Sequence, residues 1–327
     1  MRVFFCEHCG APVDAPWSEL VIVCQHCHTQ HFPGRPDAPV PPRVPVDGRP
    51  RLNIGGRTYV LERRLGDGDS SAVYQGRWVD RLGERVVVKV LSSLSDADRM
   101  RHEWDVLNAL QSQQTAGHDH YVTRLPQPVA LGILPGEQRR VAAVYGWKSG
   151  FVHTLQQVGK EHPKGVPGPV VVWILKRLLE QLGWVHRAGF VHGAVTPDHV
   201  LVHPRDHGAL LIGWTGAVPW RTGQQQPLTV LPKRWMPMYP AKKPQDVQAT
   251  PGLDVAMACL CARTVGGWTA SVREAFSPLH RAIGDLLDQG ASGTVTDAWA
   301  LRDALVEASQ DAYGPPAYNP LTMRGWR

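Results

Sequence analysis

The chain has 327 residues, with 35 lysines and arginines against 29 aspartates and glutamates, for a formal net charge of +6. That length allows one large domain or two smaller ones with a sizeable core, and a hydrophobic share of 43 % excludes a disordered or fibrous chain. So modest a charge, carried by scattered basic residues, permits acidic partners without calling for nucleic acid, and no leader pattern or apolar run of ~20 residues is seen, so a soluble, cytoplasmic protein with no membrane contact is expected.

Cys6-Glu-His-Cys9 and Cys24-Gln-His-Cys27 are separated by fourteen residues, which is zinc-ribbon spacing. Two residues between cysteines let the backbone form a tight knuckle that aims both sulfurs at one ion, and Gly10 supplies turn freedom after the first pair. Residues 21–23 are β-prone and would deliver the second knuckle. Residues 1–32 are therefore expected to be a ribbon in which Cys6, Cys9, Cys24 and Cys27 bind zinc, with His8, His26, His28 and His31 as neighbours. Four thiolates leave no open coordination position, so this zinc would be structural, contributing folding energy to a segment too short to fold alone. Cys259 and Cys261 sit in an apolar segment and are read as packing residues.

Residues 33–56 are proline-rich, which disfavours helix and sheet and predicts an extended linker. From Thr58 the pattern becomes strand-like and runs into Leu65-Gly66-Asp67-Gly68-Asp69-Ser70-Ser71-Ala72-Val73, a glycine-bearing acidic turn. Residues 84–91 alternate as a strand that holds Val87 and Lys89. Residues 96–111 follow as a helix with Ser95 as its expected cap; Met100, Trp104, Leu107 and Leu110 or Gln111 form its stripe. Glu103 lies on that apolar face, where a carboxylate needs a partner. Residues 129–134 and 140–145, joined by a turn at 135–137, complete five antiparallel strands. Trp147 follows in a short hinge.

Pro169 opens a long amphipathic helix to Ala188, closed by Gly189, with Val171, Ile174, Leu175, Leu178, Leu182 and Val185 on its buried stripe. Then come His192-Gly-Ala194-Val-Thr-Pro197-Asp198-His199-Val-Leu201, strands at 200–202 and 209–212, and Gly213-Trp214-Thr215. Residues 216–240 are proline-rich and polar. Residues 254–262 are apolar on all sides, predicting a buried helix that begins at Asp254. Ser277-Pro278 and Thr296-Asp297 are expected to open two further helices, and residues 311–327 form a tail or surface strap.

In this order the elements of residues 57–310 resemble the eukaryotic-type protein kinases in a degenerate, pseudokinase form. His192, Pro197 and Leu201 match H-R-D-L-x-P-E-N-x-L, and residues 66–73 loosely match the glycine-rich loop. Lys89 matches the lysine of V-A-I-K, Glu103 its helical partner, and Asp254 the aspartate that fastens the catalytic-loop backbone. The expected fold class is α+β: a bilobal protein-kinase-like fold, with a five-stranded antiparallel N-lobe and a mainly helical C-lobe, behind the ribbon. The resemblance also implies a loss. Ala194 stands at the catalytic aspartate, while His199 and Gly213 stand at the two metal-binding positions. No catalytic residue is therefore expected, and Gly66, Gly68, Lys89 and Glu103 would outline a vestigial nucleotide pocket with no Mg²⁺-dependent ATP binding. Two readings compete with a regulatory scaffold for a protein partner. One is unusual phosphotransfer or nucleotidyl transfer on the same fold. The other, less favoured, is nucleic-acid binding through the ribbon and Arg35, Arg43, Arg49 and Arg51. Fusions of zinc ribbons to kinase-like domains suggest a bacterial signalling protein by analogy.

Overall fold

Two short antiparallel hairpins begin the chain: β1 (Arg2–Phe5) with β2 (Pro12–Ala15), and β3 (Ile22–Val23) with β4 (Gln30–His31). Each strand that precedes a cysteine pair delivers its first sulfur, Cys6 after β1 and Cys24 after β3. The structure is a computed structural model and describes residues 2–6, 9, 11–15, 22–27, 30–31, 49–134, 140–224, 226–268 and 279–323. Gly10, His8, His28, the turn at 135–137, Ser277-Pro278 and most of the proline-rich linker lie outside them. The described chain divides into two compact units, Met1–Met100 with Pro128–Gly150 and Arg101–Gln127 with Phe151–Arg327.

In the first unit, β5 (Arg51–Ile54), β6 (Arg57–Asp67), β7 (Ser71–Trp78), β8 (Arg81–Leu91), β9 (Pro128–Ile133) and β10 (Val141–Gly146) form one antiparallel sheet, ordered β5-β6-β7-β8-β10-β9. It has six strands, not five. The added strand lies inside the stretch assigned to the linker: the proline run ends at Pro50, and Arg51-Leu-Asn-Ile then folds back on β6 through Gly55-Gly56. The domain therefore begins near residue 51 rather than 57. Alternation along β8 buries Val86, Val88 and Val90 with Ile54, Tyr59 and Val144, and leaves Val87 and Lys89 half-buried on the opposite face.

Helix α1 (Ala97–Gln111) crosses the division between the units. Ser95 does not cap it. A 3₁₀ turn at Leu94–Asp96 precedes it, and the Ser93 hydroxyl accepts the Ser95 N–H at 3.2 Å. Trp104 is half-buried, whereas Val106, outside the expected stripe, is buried. In the second unit α2 (His118–Tyr121) leads into a 3₁₀ turn at Val122–Arg124. Next come β11 (His153–Thr154), α3 (Leu155–Glu161) with a Thr154/Gln157 capping box, and α4 (Gly168–Arg187).

Helix α4 buries far more than one stripe. Val170, Trp173, Leu179 and Trp184 are covered as well, because strand β14 and helices α5 and α7 flank it. After β12 (Phe190–Val191), the pair β13 (Val200–His203) and β14 (Gly208–Leu211) forms the expected hairpin, and β15 (Val218–Pro219) pairs with β12. Helix α5 (Pro251–Val265) is buried throughout most of its length, including Cys259 and Cys261. Helix α6 (Arg281–Ala291) is capped by His280, and α7 (Ala298–Tyr313) by Asp297 rather than Thr296. Residues 314–323 form a strap on the second unit: Leu321 and Met323 are buried, and the Thr322 carbonyl lies 2.8 Å from His162 Nε2. No described helix is long and apolar enough to cross a membrane.

Candidate functional site

Two clusters carry the chemistry-bearing residues. The first is the cysteine module. The Sγ atoms of Cys6, Cys9, Cys24 and Cys27 lie within 4.8 Å of one another, with Cys6–Cys27 at 3.4 Å and Cys9–Cys24 at 3.6 Å. Four sulfurs around zinc at about 2.3 Å would be about 3.8 Å apart, so this donor set fits a tetrahedral ion. Apart from the sulfurs, the described core here is Val13 with Ala11 against it. Burial opposes ionisation of Cys24, but the backbone N–H groups of Cys27 and His26, together with the Cys27 and Cys9 side chains, bring the thiol down to about 7. His26 is exposed and outside the cluster.

The second cluster lies in residues 190–217 with the start of α5. Asp254, fully buried on α5, accepts the backbone N–H groups of His192 and Gly193, each at 2.8 Å, and lies 3.0 Å from His186 Nε2. Tyr239 adds a hydrogen bond from its hydroxyl to the Gly193 carbonyl at 3.0 Å. His192 is buried edge-on against Trp214, with ring centroids 4.5 Å apart. Its Nδ1 accepts the Ala194 N–H and its Nε2 faces the Ile212 carbonyl, each at 3.2 Å, so the neutral Nε2–H tautomer satisfies both. Burial brings this imidazole down to about 4, against the pull of Asp254.

The positions to which the kinase resemblance assigns chemistry are built differently. Ala194 is 2 % exposed, and a Cβ on neighbouring Gly216 would lie 3.7 Å from its methyl group. Gly213 has φ +76°, and a Cβ placed there would lie 2.5 Å from the His199 ring. The imidazole thus fills the volume that a side chain at 213 would enter. His199 is itself held by its Nδ1 at 2.9 Å from the Ala194 carbonyl, while its backbone carbonyl accepts the Ile212 N–H at 2.9 Å. Asp198 accepts the Trp235 indole N–H at 2.7 Å, and Asp206 pairs with His203 at 3.2 Å.

Glu103 faces inward on α1, as its spacing predicts, and the Thr215 hydroxyl donates to it at 2.7 Å. His102, one residue earlier, lies 2.5 Å from the Ala217 carbonyl through Nε2. Neither α1 contact was legible in sequence, since each joins residues more than a hundred positions apart. Lys89 stands in the first unit, on β8, opposite Val73 and Ala143. In the glycine-bearing turn the ladder continues to Asp67↔Ala72, and the Gly68 N–H donates to the Ser71 carbonyl at 2.8 Å. Gly66 and Gly68 therefore belong to a closed hairpin, and Arg64 neutralises Asp67 through Nε at 3.0 Å.

No family model and no curated relative matches the sequence. Solved structures do match in shape. A Toxoplasma gondii rhoptry antigen kinase domain is similar over 80 % of this chain and 87 % of its own, at 16 % identity and a TM-score of 0.54. The BubR1 kinase domain covers 80 % and 83 % at 13 % identity and 0.56. Vaccinia related kinase 3 covers 83 % and 93 % at 15 % identity and 0.56. With the order of elements and the loop anchored by Asp254, these likenesses show that the chain has an α+β protein-kinase-like fold with a four-cysteine cluster at its N-terminus.

Proposed function

We propose that the protein is a catalytically inactive pseudokinase that acts as a regulatory or scaffolding protein through a protein partner, its N-terminal cysteines holding a structural zinc ion. The observation that carries this reading is the contact of His199 with Gly213. The space a metal-binding aspartate would need is occupied by an imidazole, and hard cations such as Mg²⁺ prefer oxygen. Ala194 supports it further. General-base assistance is worth ~10²–10⁴ in rate, and a buried methyl group supplies none. Asp198 and Asp206, the acids nearest in sequence, are engaged by Trp235 and His203.

A second reading, nucleotide chemistry of an unusual kind on this fold, draws on Lys89, which sits on the face of β8 opposite the core. A thermal-shift series with ATP, ADP and GTP, with and without Mg²⁺ or Mn²⁺, separates the two. The pseudokinase reading expects no metal-dependent shift with any nucleotide; a saturable shift that requires the metal would favour the enzyme. Capture of a partner by the full chain, compared with Cys24→Ser, then assigns the cysteine module its share of the binding.

A further inference from the structure

The strap after α7, Gly314-Pro-Pro-Ala-Tyr318-Asn-Pro-Leu321-Thr-Met323, is used by neither the kinase-like loop nor the cysteine module. Both of its ends are pinned to the second unit. At the start the Gly314 N–H donates to the Gln310 carbonyl at 2.8 Å. At the far end Leu321 and Met323 are buried, and the Leu321 N–H donates to the Pro204 carbonyl at 3.4 Å. Between these anchors Pro315, Pro316, Ala317 and Tyr318 are exposed. Tyr318, at 62 %, is the most exposed large hydrophobic side chain among the described residues.

The exposed stretch is held in one conformation without helix or strand. Proline rings fix φ at 315, 316 and 320 and restrict the residue before each to extended backbone. The two positions left free by proline are held otherwise. The Asn319 side chain donates to the Ala317 carbonyl at 2.9 Å. The Tyr318 ring lies nearly parallel to His207 with centroids 4.7 Å apart, and His207 lies nearly parallel to Trp173 of α4 at the same separation. His207, between β13 and β14, has φ +51°, alone in positive φ among the described non-glycine residues, and Arg177 Nε donates to its carbonyl at 3.2 Å. One face of the Tyr318 ring is therefore backed by the protein and the other is open.

Restricted φ angles leave little conformational entropy to lose on docking. The carbonyls of Pro315, Pro316 and Tyr318 accept no hydrogen bond from the described residues. The strap thus presents proline rings, open acceptors and an aromatic face, and a groove lined by aromatic rings with N–H or O–H donors complements all three. A sheet edge would need N–H donors that Pro315, Pro316 and Pro320 lack, and residues 314–323 carry no charge for a nucleic acid or a lipid surface. We propose that Pro315–Tyr318 is a docking ligand for a protein partner whose aromatic-lined groove reads polyproline-II segments, presented by the Trp173–His207–Tyr318 stack. It gives the scaffolding reading a class of partner, and it stands whether or not the protein transfers phosphate.

Fluorescence anisotropy of a labelled WW domain that reads Pro-Pro-x-Tyr, titrated with the full chain, tests this. Saturable binding is expected. Tyr318→Ala and Pro316→Ala should each weaken it roughly tenfold or more, the loss of one ring contact. Both side chains are exposed and both variants keep the prolines of residues 33–50, so the loss reports on the strap alone. His207→Ala removes the backing ring and should weaken binding less than Tyr318→Ala does. A gain of affinity in His207→Ala would mean that the stack hides the ring, and would overturn the proposal. If His207→Ala does not fold, Tyr318→Ala and Pro316→Ala carry the comparison. No saturable binding by the parent chain, or unchanged affinity in Tyr318→Ala, also overturns it. The nucleotide series bears on catalysis alone, so the two readings fail separately.

Discussion

The cysteine module and the His192–Thr215 loop put ordered local geometry to opposite uses. In the module the frame is minimal and the ligands are complete: four sulfurs converge, supported by little else among the described residues. In the loop the frame is complete and, on the proposed reading, the reactive groups are replaced: Asp254, His192, Trp214 and Tyr239 fix the backbone, while Ala194, His199 and Gly213 stand where the kinase resemblance puts reactive groups. The contrast teaches that a binding geometry and a folding geometry can be separated. On the proposed reading the module's sulfurs need zinc to hold the strands together, whereas the loop is held by burial and internal hydrogen bonds.

The largest effect should therefore come from metal removal. Chelation, or Cys24→Ser, should collapse the NMR dispersion of the first two hairpins and abolish stoichiometric zinc, on the scale of about 10 kcal/mol for structural zinc at neutral pH. A module that keeps its dispersion without metal would erase the contrast. Next in size is Asp254→Ala. It leaves the His192 and Gly193 N–H groups buried without their acceptor and should cost about 3–5 kcal/mol in urea unfolding. A cost below about 1 kcal/mol, the worth of an ordinary hydrogen bond, would mean that the loop is braced by something else.

A third prediction concerns the space at Gly213 that the His199 ring fills. Gly213→Asp must adopt φ +76° and displace the His199 ring, and should destabilise by about 2–4 kcal/mol. In a double-mutant cycle His199→Asn should recover about 1–2 kcal/mol of that, because the clash is shared. Strict additivity would show that the two positions are independent.

The last effect is pH-dependent. His192 titrates near 6.5 when unfolded and near 4 when buried in the fold, so the unfolded chain takes up the proton first. Its contribution is fully present above about 6.5 and is lost as pH falls from there through 4, amounting to about 3 kcal/mol. Ring ¹⁵N shifts should keep the neutral Nε2–H form through that window; protonation of the folded ring near 6.5 would contradict the burial assigned to it.

The parts of this comparison that were legible in the sequence are those set by local spacing. The cysteine pairs, the Glu103 face of α1, the hairpin at 200–211 and the buried helix of Asp254 each declare themselves within a few residues. Contacts made across the chain were not legible. The His199–Gly213 contact joins the loop to the segment after β14, and Thr215–Glu103 joins residues 112 positions apart. Strand β5 was hidden because prolines up to Pro50 masked a short alternating run, and α4 looked one-sided because only its neighbours reveal that it is surrounded.

The central claim is that a kinase frame persists here without phosphoryl transfer. Its most direct test is incubation of the full chain with γ-³²P-ATP and Mg²⁺ or Mn²⁺, alone and with a generic protein substrate, beside Lys89→Ala. No incorporation that depends on the metal and on Lys89 is expected. Metal-dependent transfer that disappears in Lys89→Ala would contradict it.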